Sequence, residues 1–164
     1  MMRVISLLLV AGTALLVACS PKNNSNPAPL SPEGNAKFLA DNAKKDGVVS
    51  VPGIQYEVLQ KGTGAQPERR DCVTVTYTGS LTNGKVFDKT EPGKPATFPA
   101  GRLIPGWVEA LQMMHVGDKW RLVIPPGLAY GKDGAGDGLI PPNQTLVFEL
   151  ELLKVSPPVQ GMCG

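Results

Sequence analysis

Three short segments of this chain alternate between apolar and polar residues, and a further one is an apolar run stopped by two prolines. The segments are GIQYEVLQ, CVTVTYTGSL, TLVFELELLKV and KWRLVIPP, at positions 53–60, 72–81, 145–155 and 119–126. In the second segment, Val73, Val75 and Tyr77 share one phase, which places them on one face of a strand. The pattern predicts an antiparallel sheet with one buried and one solvated face. The 19 glycines and 16 prolines favour the turns between short strands over a helical bundle.

One segment between these strands has the period of a helix instead. In IPGWVEALQMMHVG, Trp107, Ala110, Leu111 and Met114 fall at i, i+3, i+4 and i+7 and form one apolar stripe. Pro105 is placed to start this helix and Gly117 to end it. The sequence therefore predicts an α+β domain in which a twisted antiparallel sheet wraps one short helix.

The N-terminal segment has the composition of a secretory signal. MMRVISLLLVAGTALLVAC has one arginine, an apolar run too short to span a bilayer comfortably, and small residues near its end. We interpret residues 1–18 as a signal peptide. The final LVAC resembles the lipobox of bacterial lipoproteins, in which Cys19 becomes the lipidated first residue and anchors the chain to the membrane. Ser20 after it favours the outer membrane by the same resemblance. The alternative is an ordinary signal peptide with a chance cysteine.

The rest of the chain divides by composition. Residues 19–32 lie in a stretch rich in Pro, Asn and Ser, which predicts a lipidated N-terminus and a solvated tether. Ser31, Pro32 and Gly47 are start and stop signals for a short helix within 33–47, which Phe38 and Leu39 would dock on the domain. Residues 48–156 form the main domain, and 157–164 form a tail.

Several kinds of chemistry are absent from the sequence. The net charge of +2 does not suggest a nucleic-acid partner. His115 is the one histidine, so it is expected on the surface, and neither a metal site nor a serine triad is predicted. GKDGAGDG at 131–138 lacks the features of a phosphate loop and is interpreted as a plain loop. No cofactor is expected.

What remains is an apolar and aromatic set with one carboxylate. Its members are Tyr77, Phe87, Asp88, Phe98, Leu103, Ile104, Trp107, Tyr130, Leu139, Ile140 and Phe148. All of them could be core residues, and for Phe98 and Leu103 the sequence alone does not reject that interpretation. Asp88 follows an aromatic residue, and a buried carboxylate must be hydrogen-bonded or paired.

Longer motifs carry a family resemblance. VTVTYTGSLTNGKVFDKT, IPGWVEALQMMHVGDKWRLVIPPGLAYG and IPPNQTLVFELELLKV closely resemble, in order, the FKBP family of peptidyl-prolyl isomerases. The resemblance covers about residues 48–155. NAKFLADNAKKDGV and PATFPAGRLIPGW are most similar to its macrophage-infectivity-potentiator and periplasmic branch. It implies an FKBP-like half β-barrel acting on proline-containing polypeptides and binding macrolide inhibitors such as tacrolimus or rapamycin.

The resemblance also implies roles for individual residues. Tyr77, Phe87, Asp88, Trp107 and Tyr130 match pocket positions and are assigned to catalysis, while Phe98, Leu103, Ile104 and Phe148 match positions assigned to substrate binding. Leu139 and Ile140, taken from the apolar set without a matched family position, are also assigned to substrate binding. Ala96 replaces an aromatic residue that many members have at the pocket rim, and the 131–138 loop is longer than in small cytosolic members. These departures affect substrate preference and inhibitor affinity.

Such a pocket suits a reaction that breaks no bond. The barrier to proline isomerisation, about 18–20 kcal/mol, arises from amide resonance. A dry pocket destabilises the charge-separated planar amide more than the twisted one. The expected function is therefore isomerisation of X–Pro bonds in envelope proteins. One alternative is a lipoprotein that holds proline-containing peptides, like a chaperone, with little turnover. Another is a structural envelope lipoprotein without a ligand.

The family fold brings two further expectations. If the last strand runs antiparallel beside the strand of Cys72, as in the family, residues 156–163 are long enough for Cys163 to reach an exposed Cys72 thiol. A Cys72–Cys163 disulfide is then expected outside the cytoplasm; the alternative is a frayed terminus with two free thiols.

Relatives in this branch carry a long N-terminal dimerisation region, whereas only residues 20–47 separate Cys19 from the predicted domain. A monomer is expected.

Overall fold

The computed structural model describes residues 28–163. The predicted signal peptide, Cys19 and the tether as far as residue 27 lie outside the described residues. Two α-helices are present in the described part, α1 (Pro32–Asn42) and α2 (Pro105–Leu111). The strands are β1 (Val48–Ser50), β2 (Gln55–Gln60), β3 (Cys72–Leu81), β4 (Val86–Lys89), β5 (Ala96–Pro99), β6 (Lys119–Ile124) and β7 (Leu146–Ser156). No helix within 28–163 is long and apolar enough to cross a bilayer.

All strand pairings are antiparallel. The strand order is β1-β2-β6-β7-β3-β4, and β5 pairs with the first residues of β3 on the edge opposite β7. The apolar phase of β7 is buried, as the alternation predicts: Leu146, Leu150 and Leu152 are inaccessible to solvent. These side chains share one core with Trp107, Ala110, Leu111 and Met114, the stripe centred on α2. The predicted α+β fold, a sheet curled over one short helix, is confirmed.

The end of α2 differs from the prediction. The helix ends at Leu111 rather than at Gly117, although Met114 is still fully buried. The buried carboxylate of Asp118 accepts hydrogen bonds from the backbone N–H of His115 and of Gly62, each at 2.6 Å. These bonds favour a turn over a further helical turn. Gly117, with a φ of +95°, allows the chain to reverse within that turn.

Helix α1 docks through polar side chains. Ser31 caps it by accepting a hydrogen bond from the N–H of Gly34 at 3.0 Å. Phe38 and Leu39 were expected to dock the helix, but both are only half-buried and are not the main contacts. The side chains of Asn35 and Asn42 are buried instead.

Two hydrogen bonds explain why α1 ends at Asn42, before the predicted residues 43–47. The Asn42 amide donates to Gln55 Oε1 at 2.8 Å and accepts from Arg121 Nη1 at 2.8 Å. The helix end is thereby fixed to β2 and β6. Residues 43–47 form turns, and Gly47 adopts a φ of +79° just before β1.

The chain just before α1 is held at one end of β3. Thr82 Oγ1 donates to the carbonyl of Pro29 at 2.9 Å, and Gln144 Nε2 donates to the carbonyl of Leu30 at 3.1 Å. We call these two contacts the N-terminal clasp. Because Gln144 also donates to the Pro142 carbonyl at 3.0 Å, the clasp joins the N-terminal segment to the end of the long loop before β7.

Replacing Asn35 with alanine is expected to lower the free energy of unfolding by about 1–3 kcal/mol. Asn35 Oδ1 accepts the backbone N–H of the fully buried Thr145 at 2.8 Å, so the substitution leaves that donor without a partner. Urea unfolding measures the change. The matched control is Lys37→Ala on the exposed face of α1, which removes an ion pair with Asp41 and should cost less than about 1 kcal/mol. Equal effects of the two substitutions would contradict a docking role for Asn35.

The C-terminal tail is attached to the start of β3. In the structure Cys72 and Cys163 are joined as a disulfide, with their Cα atoms 5.4 Å apart. The expected exposure of Cys72 is wrong: only 3% of the residue is accessible. Cys72 is absent from the apolar core cluster, which agrees with its predicted outward phase, and the tail bonded to it contributes to its burial.

Candidate functional site

A cavity of about 200 Å³ opens above the N-terminal end of α2. Its lining comprises nine side chains predicted from the sequence, namely Tyr77, Phe87, Asp88, Phe98, Leu103, Ile104, Trp107, Tyr130 and Phe148. The remaining two predicted residues lie elsewhere. Leu139 and Ile140 line an adjoining depression of about 330 Å³, which shares Phe87, Asp88 and Tyr130 with the main cavity. Leu139 is half exposed, whereas Ile140 is buried and belongs to the core.

Trp107 forms the floor of the cavity and is only 4% exposed. Its indole ring makes edge-on contacts with Tyr77, Phe148 and Phe98, with ring centroids 5.2, 5.3 and 6.5 Å apart. Gly106 permits this placement, because a Cβ there would lie 2.5 Å from Ile124 Cγ2 on β6. The floor is therefore a flat apolar surface whose orientation is fixed by three aromatic neighbours.

A hydrogen bond links two of the polar groups at the cavity. Tyr77 on β3 donates its hydroxyl to Asp88 Oδ2 on β4 at 2.6 Å. Partial burial, followed by the carboxylate of Asp88, raises the pKa of Tyr77 well above its usual range, so the phenol stays protonated. Asp88 is itself exposed, which corrects the expectation of a buried carboxylate. The hydrogen-bond partner expected for it is nevertheless present.

Besides the buried Nε1–H of Trp107, which has no hydrogen-bond partner, two donors at the cavity are without a partner within residues 28–163. The hydroxyl of Tyr130, which is 40% exposed, forms no hydrogen bond to the described residues, and neither does the backbone N–H of Ile104. Burial, followed by the charge of Asp88, raises the pKa of Tyr130, which keeps its hydroxyl protonated as a donor. Both groups are available to a carbonyl oxygen of a bound molecule.

The walls contributed by Phe87 and Phe148 meet above a glycine that the sequence analysis did not single out. The two rings are edge-on with centroids 5.7 Å apart. A Cβ on Gly79 would lie 2.7 Å from ring atoms of both. A glycine inside an otherwise regular strand is a signal for such close approach, and it was present in the YTGSL run of β3.

The Gly79→Ala substitution is expected to lower the free energy of unfolding by about 1–3 kcal/mol, because both aromatic walls must move to admit the methyl group. Urea unfolding is the measurement. Gly127→Ala is the matched control, since its Cβ would meet nothing within 4 Å and the cost should stay within about 0.5 kcal/mol. A Gly79→Ala protein as stable as the control would show that the walls are not closely packed over Gly79.

The cavity is suited to binding rather than to bond cleavage. Its lining has aromatic and aliphatic surface, two phenols and one carboxylate, and His115 is exposed outside it, 3.9 Å from Asp118. Within residues 28–163 no group of three His, Cys, Asp or Glu side chains is placed to hold a metal ion.

Comparison with known proteins gives a consistent family assignment. Residues 63–153 match the family described as FKBP-type peptidyl-prolyl cis-trans isomerase. The chain is 53% identical over 128 residues to the FKBP-type 22 kDa peptidyl-prolyl cis-trans isomerase of Escherichia coli, covering 77% of this chain and 61% of that protein. It is 46% identical over 143 residues to the outer membrane protein MIP of Legionella longbeachae, covering 86% of this chain and 60% of the relative.

Solved structures agree with these matches. A peptidyl-prolyl cis-trans isomerase from Pseudomonas syringae superposes with a TM-score of 0.71 at 44% identity, covering 76% of this chain and 92% of that one. FkpA from Escherichia coli superposes with a TM-score of 0.66 at 42% identity, covering 76% of this chain and 65% of the other. The chain spans about three fifths of the length of the two relatives compared by sequence.

Proposed function

Because this chain belongs to the FKBP-type peptidyl-prolyl cis-trans isomerase family, we propose that it isomerises X–Pro bonds of polypeptides in the cavity above α2. The observation that carries the proposal is the combination of a flat aromatic floor, Trp107, with free donors at Tyr130 and Ile104. A proline ring rests on the floor, and the carbonyl beside it meets a donor.

The mechanism requires no proton transfer. The planar amide owes its barrier of about 18–20 kcal/mol to resonance that separates charge between oxygen and nitrogen. Transfer into the apolar cavity removes water from that amide and raises the energy of the planar form more than that of the twisted form. Leu103, Ile104, Phe87 and Phe148 supply the walls that exclude water.

The polar groups hold the twisted geometry. The Tyr130 hydroxyl and the Ile104 N–H donate to carbonyl groups on either side of the rotating bond. Asp88 accepts from Tyr77 and thereby fixes that ring against Trp107. Its carboxylate also presents negative charge to the carbonyl carbon of the substrate, which favours the twisted amide over the planar one.

Isomerase activity is tested with a proline tetrapeptide in a protease-coupled assay, using the full chain in mild detergent. The slow phase should accelerate in proportion to protein concentration, and tacrolimus should abolish the acceleration. If tacrolimus binds by calorimetry but the slow phase is unchanged, the protein is a binding module instead. The lack of an aromatic residue at Ala96, which resemblance places at the rim, favours some holding of peptides alongside turnover.

The Asp88→Ala protein should lose activity in the same assay. The substitution removes the acceptor of the Tyr77 hydroxyl, a charge-assisted hydrogen bond, and kcat/KM is expected to fall about tenfold. Asp88→Asn is the matched control, since it keeps an acceptor and removes the charge. Full activity in both variants would exclude a role for the carboxylate, and loss in Asp88→Ala alone would assign that role to positioning Tyr77.

We propose that the protein is located in the cell envelope, where a lipid on Cys19 anchors it to the outer membrane. The LVAC sequence at 16–19 supports it, as does the similarity to a relative named outer membrane protein MIP. Metabolic labelling with an alkyne fatty acid should mark the wild type and spare Cys19→Ala. Labelling of both would refute lipidation at Cys19.

We further propose that the protein is a monomer. Light scattering of the detergent-solubilised chain tests this proposal.

A further inference from the structure

Three neighbouring concave surfaces lie between the cavity and the C-terminal tail, and we call the series the track. Leu103 lines both the cavity and a neighbouring groove of about 620 Å³. Arg69 and Gly101 line both that groove and a cleft of about 400 Å³ beside the disulfide. Three concave surfaces are thus joined in sequence, and each adjacent pair shares at least one residue.

The groove in the middle of the track is formed on the outer face of α2. Pro105, Val108, Glu109 and Gln112, at i, i+3, i+4 and i+7, line it together with Leu103, Met113 and Leu128. Most of these side chains are apolar, so the groove suits the side chains of an extended polypeptide. The carboxylate of Glu109 lies toward the Leu128 side, because a Cβ on Gly53 would be 2.8 Å from Glu109 Oε2 and 2.7 Å from Leu128 Cδ1.

The far end of the track is basic. Arg69, Arg70 and Arg102 line the cleft, and all three are exposed. Arg70 pairs with Glu68 at 3.0 Å. Neither Arg69 nor Arg102 forms an ion pair within residues 28–163. Two guanidinium groups are therefore free for an anionic partner at this end.

The tail forms the opposite wall of this cleft. Pro158, Gly161 and Cys163 line the cleft together with the arginines. Gln160 and Gly161 both have positive φ, and Val159 and Met162 exchange backbone hydrogen bonds at 3.0 Å, which folds the tail into a tight hairpin. The bond from Cys163 to Cys72 holds that hairpin beside β3. This wall is therefore a folded segment that is covalently attached to the domain.

We propose that a client polypeptide whose proline occupies the cavity continues along this track, and that Arg69 and Arg102 select carboxylates flanking the proline. The inference rests on the proposed isomerase function. Arg102 is the chain neighbour of Leu103, a residue of the cavity wall, so the basic end begins close to the cavity. An extended chain advances about 3.3 Å per residue, so carboxylates three to five positions from the proline lie about 10–17 Å from it. Arginine is the side chain best matched to a carboxylate, through paired N–H donors.

The test uses the full chain in mild detergent and three types of peptide. The first is a proline tetrapeptide, too short to leave the cavity. The other two types are twelve-residue peptides with one central proline and a run of three Glu or three Gln. The run occupies the third to fifth positions from the proline. Each type is made in two versions, with the run before or after the proline. Exchange NMR measures the isomerisation rate of each peptide without a protease.

Wild-type protein is expected to catalyse one of the two Glu peptides about 3- to 10-fold better than its Gln counterpart at low salt, since exposed ion pairs are individually weak. Added salt should reduce the preference. The double variant Arg69→Glu, Arg102→Glu should lose or reverse the preference for the Glu peptide. Its turnover of the tetrapeptide should be unchanged. The matched control, Lys61→Glu with Lys85→Glu, makes the same change in net charge at exposed lysines off the track and should keep the preference.

The outcomes separate this inference from the function on which it rests. No turnover of any peptide would refute the isomerase proposal. Normal tetrapeptide turnover with equal rates for Glu and Gln peptides would refute the track alone. Loss of the preference in the lysine control as well as in the arginine variant would also refute it, because the selection would then reflect net charge and not the cleft.

Discussion

Replacing Trp107 with alanine is expected to reduce kcat/KM for a proline tetrapeptide by more than about 100-fold. We propose the indole as the surface on which the proline ring rests, and Tyr77, Phe98 and Phe148 all pack against it. Without it, the cavity gains a void at its floor, water enters, and the amide loses both its dry environment and its orientation. Loss of orientation alone costs about two orders of magnitude in comparable sites. The protease-coupled assay measures the effect.

Stability must be followed in the same variant. Trp107 is buried, and truncation of a buried tryptophan costs about 3–5 kcal/mol. Near-ultraviolet circular dichroism and urea unfolding establish how much protein is folded under assay conditions. Trp107→Phe keeps an aromatic floor and should retain far more activity. Tyr130→Phe, which removes one hydroxyl and keeps the wall, should cost less than Trp107→Ala. A larger loss for Tyr130→Phe would mean that the assigned roles are reversed.

Loss of the Cys72–Cys163 bond is expected to lower the free energy of unfolding by up to about 4–5 kcal/mol. The two residues are 91 positions apart, so the bond closes a loop that includes α2 and the five strands from β3 to β7. In the chain-entropy treatment, a loop of about 100 residues contributes about 4.7 kcal/mol by restricting the unfolded chain. Cys163→Ser should therefore unfold at markedly lower urea concentration than oxidised wild type.

A reductant provides the control for this experiment. Reduced wild type should match Cys163→Ser, and the reductant should not change Cys163→Ser further. Thiol titration of denatured, unreduced protein isolated from the envelope checks the bond itself: two free thiols besides Cys19 would show that it does not form in the cell. A difference in stability below about 1 kcal/mol, with the bond intact, would mean that the unfolded chain is already compact near these ends.

The main strands and the core could be predicted because a strand with one buried face carries apolar residues at every second position. Cys72–Leu81 and Lys119–Ile124 match their predicted segments, and β7 differs from its segment by one residue at each end. The three- and four-residue strands β1, β4 and β5 were not predicted, because so few residues carry little periodic signal. The end of α2 and the polar docking of α1 depend on single side chains, Asp118 and Asn42, whose partners are 56 and 79 positions away in sequence. No local pattern contains that information.

The pocket was predictable to the extent that family motifs carry it. Nine predicted residues line one cavity, while Leu139 and Ile140 lie beside it. Asp88 was expected to be buried because it follows Phe87, yet it is exposed, since β4 pairs only with β3 within the described sheet. The track from Leu103 to Arg69 was not predicted, because it depends on segments that meet only in the folded chain.

The N-terminal clasp and the arginine cleft lie at opposite ends of β3. Pro29 and Leu30 are bonded at the Thr82 end of β3, whereas the disulfide and the arginine cleft lie at its Cys72 end, about 30 Å away along ten residues of strand. A lipid carried on Cys19, as we propose, would connect to the domain at its clasped end, so the arginine cleft would lie at the end of β3 farther from the point of attachment.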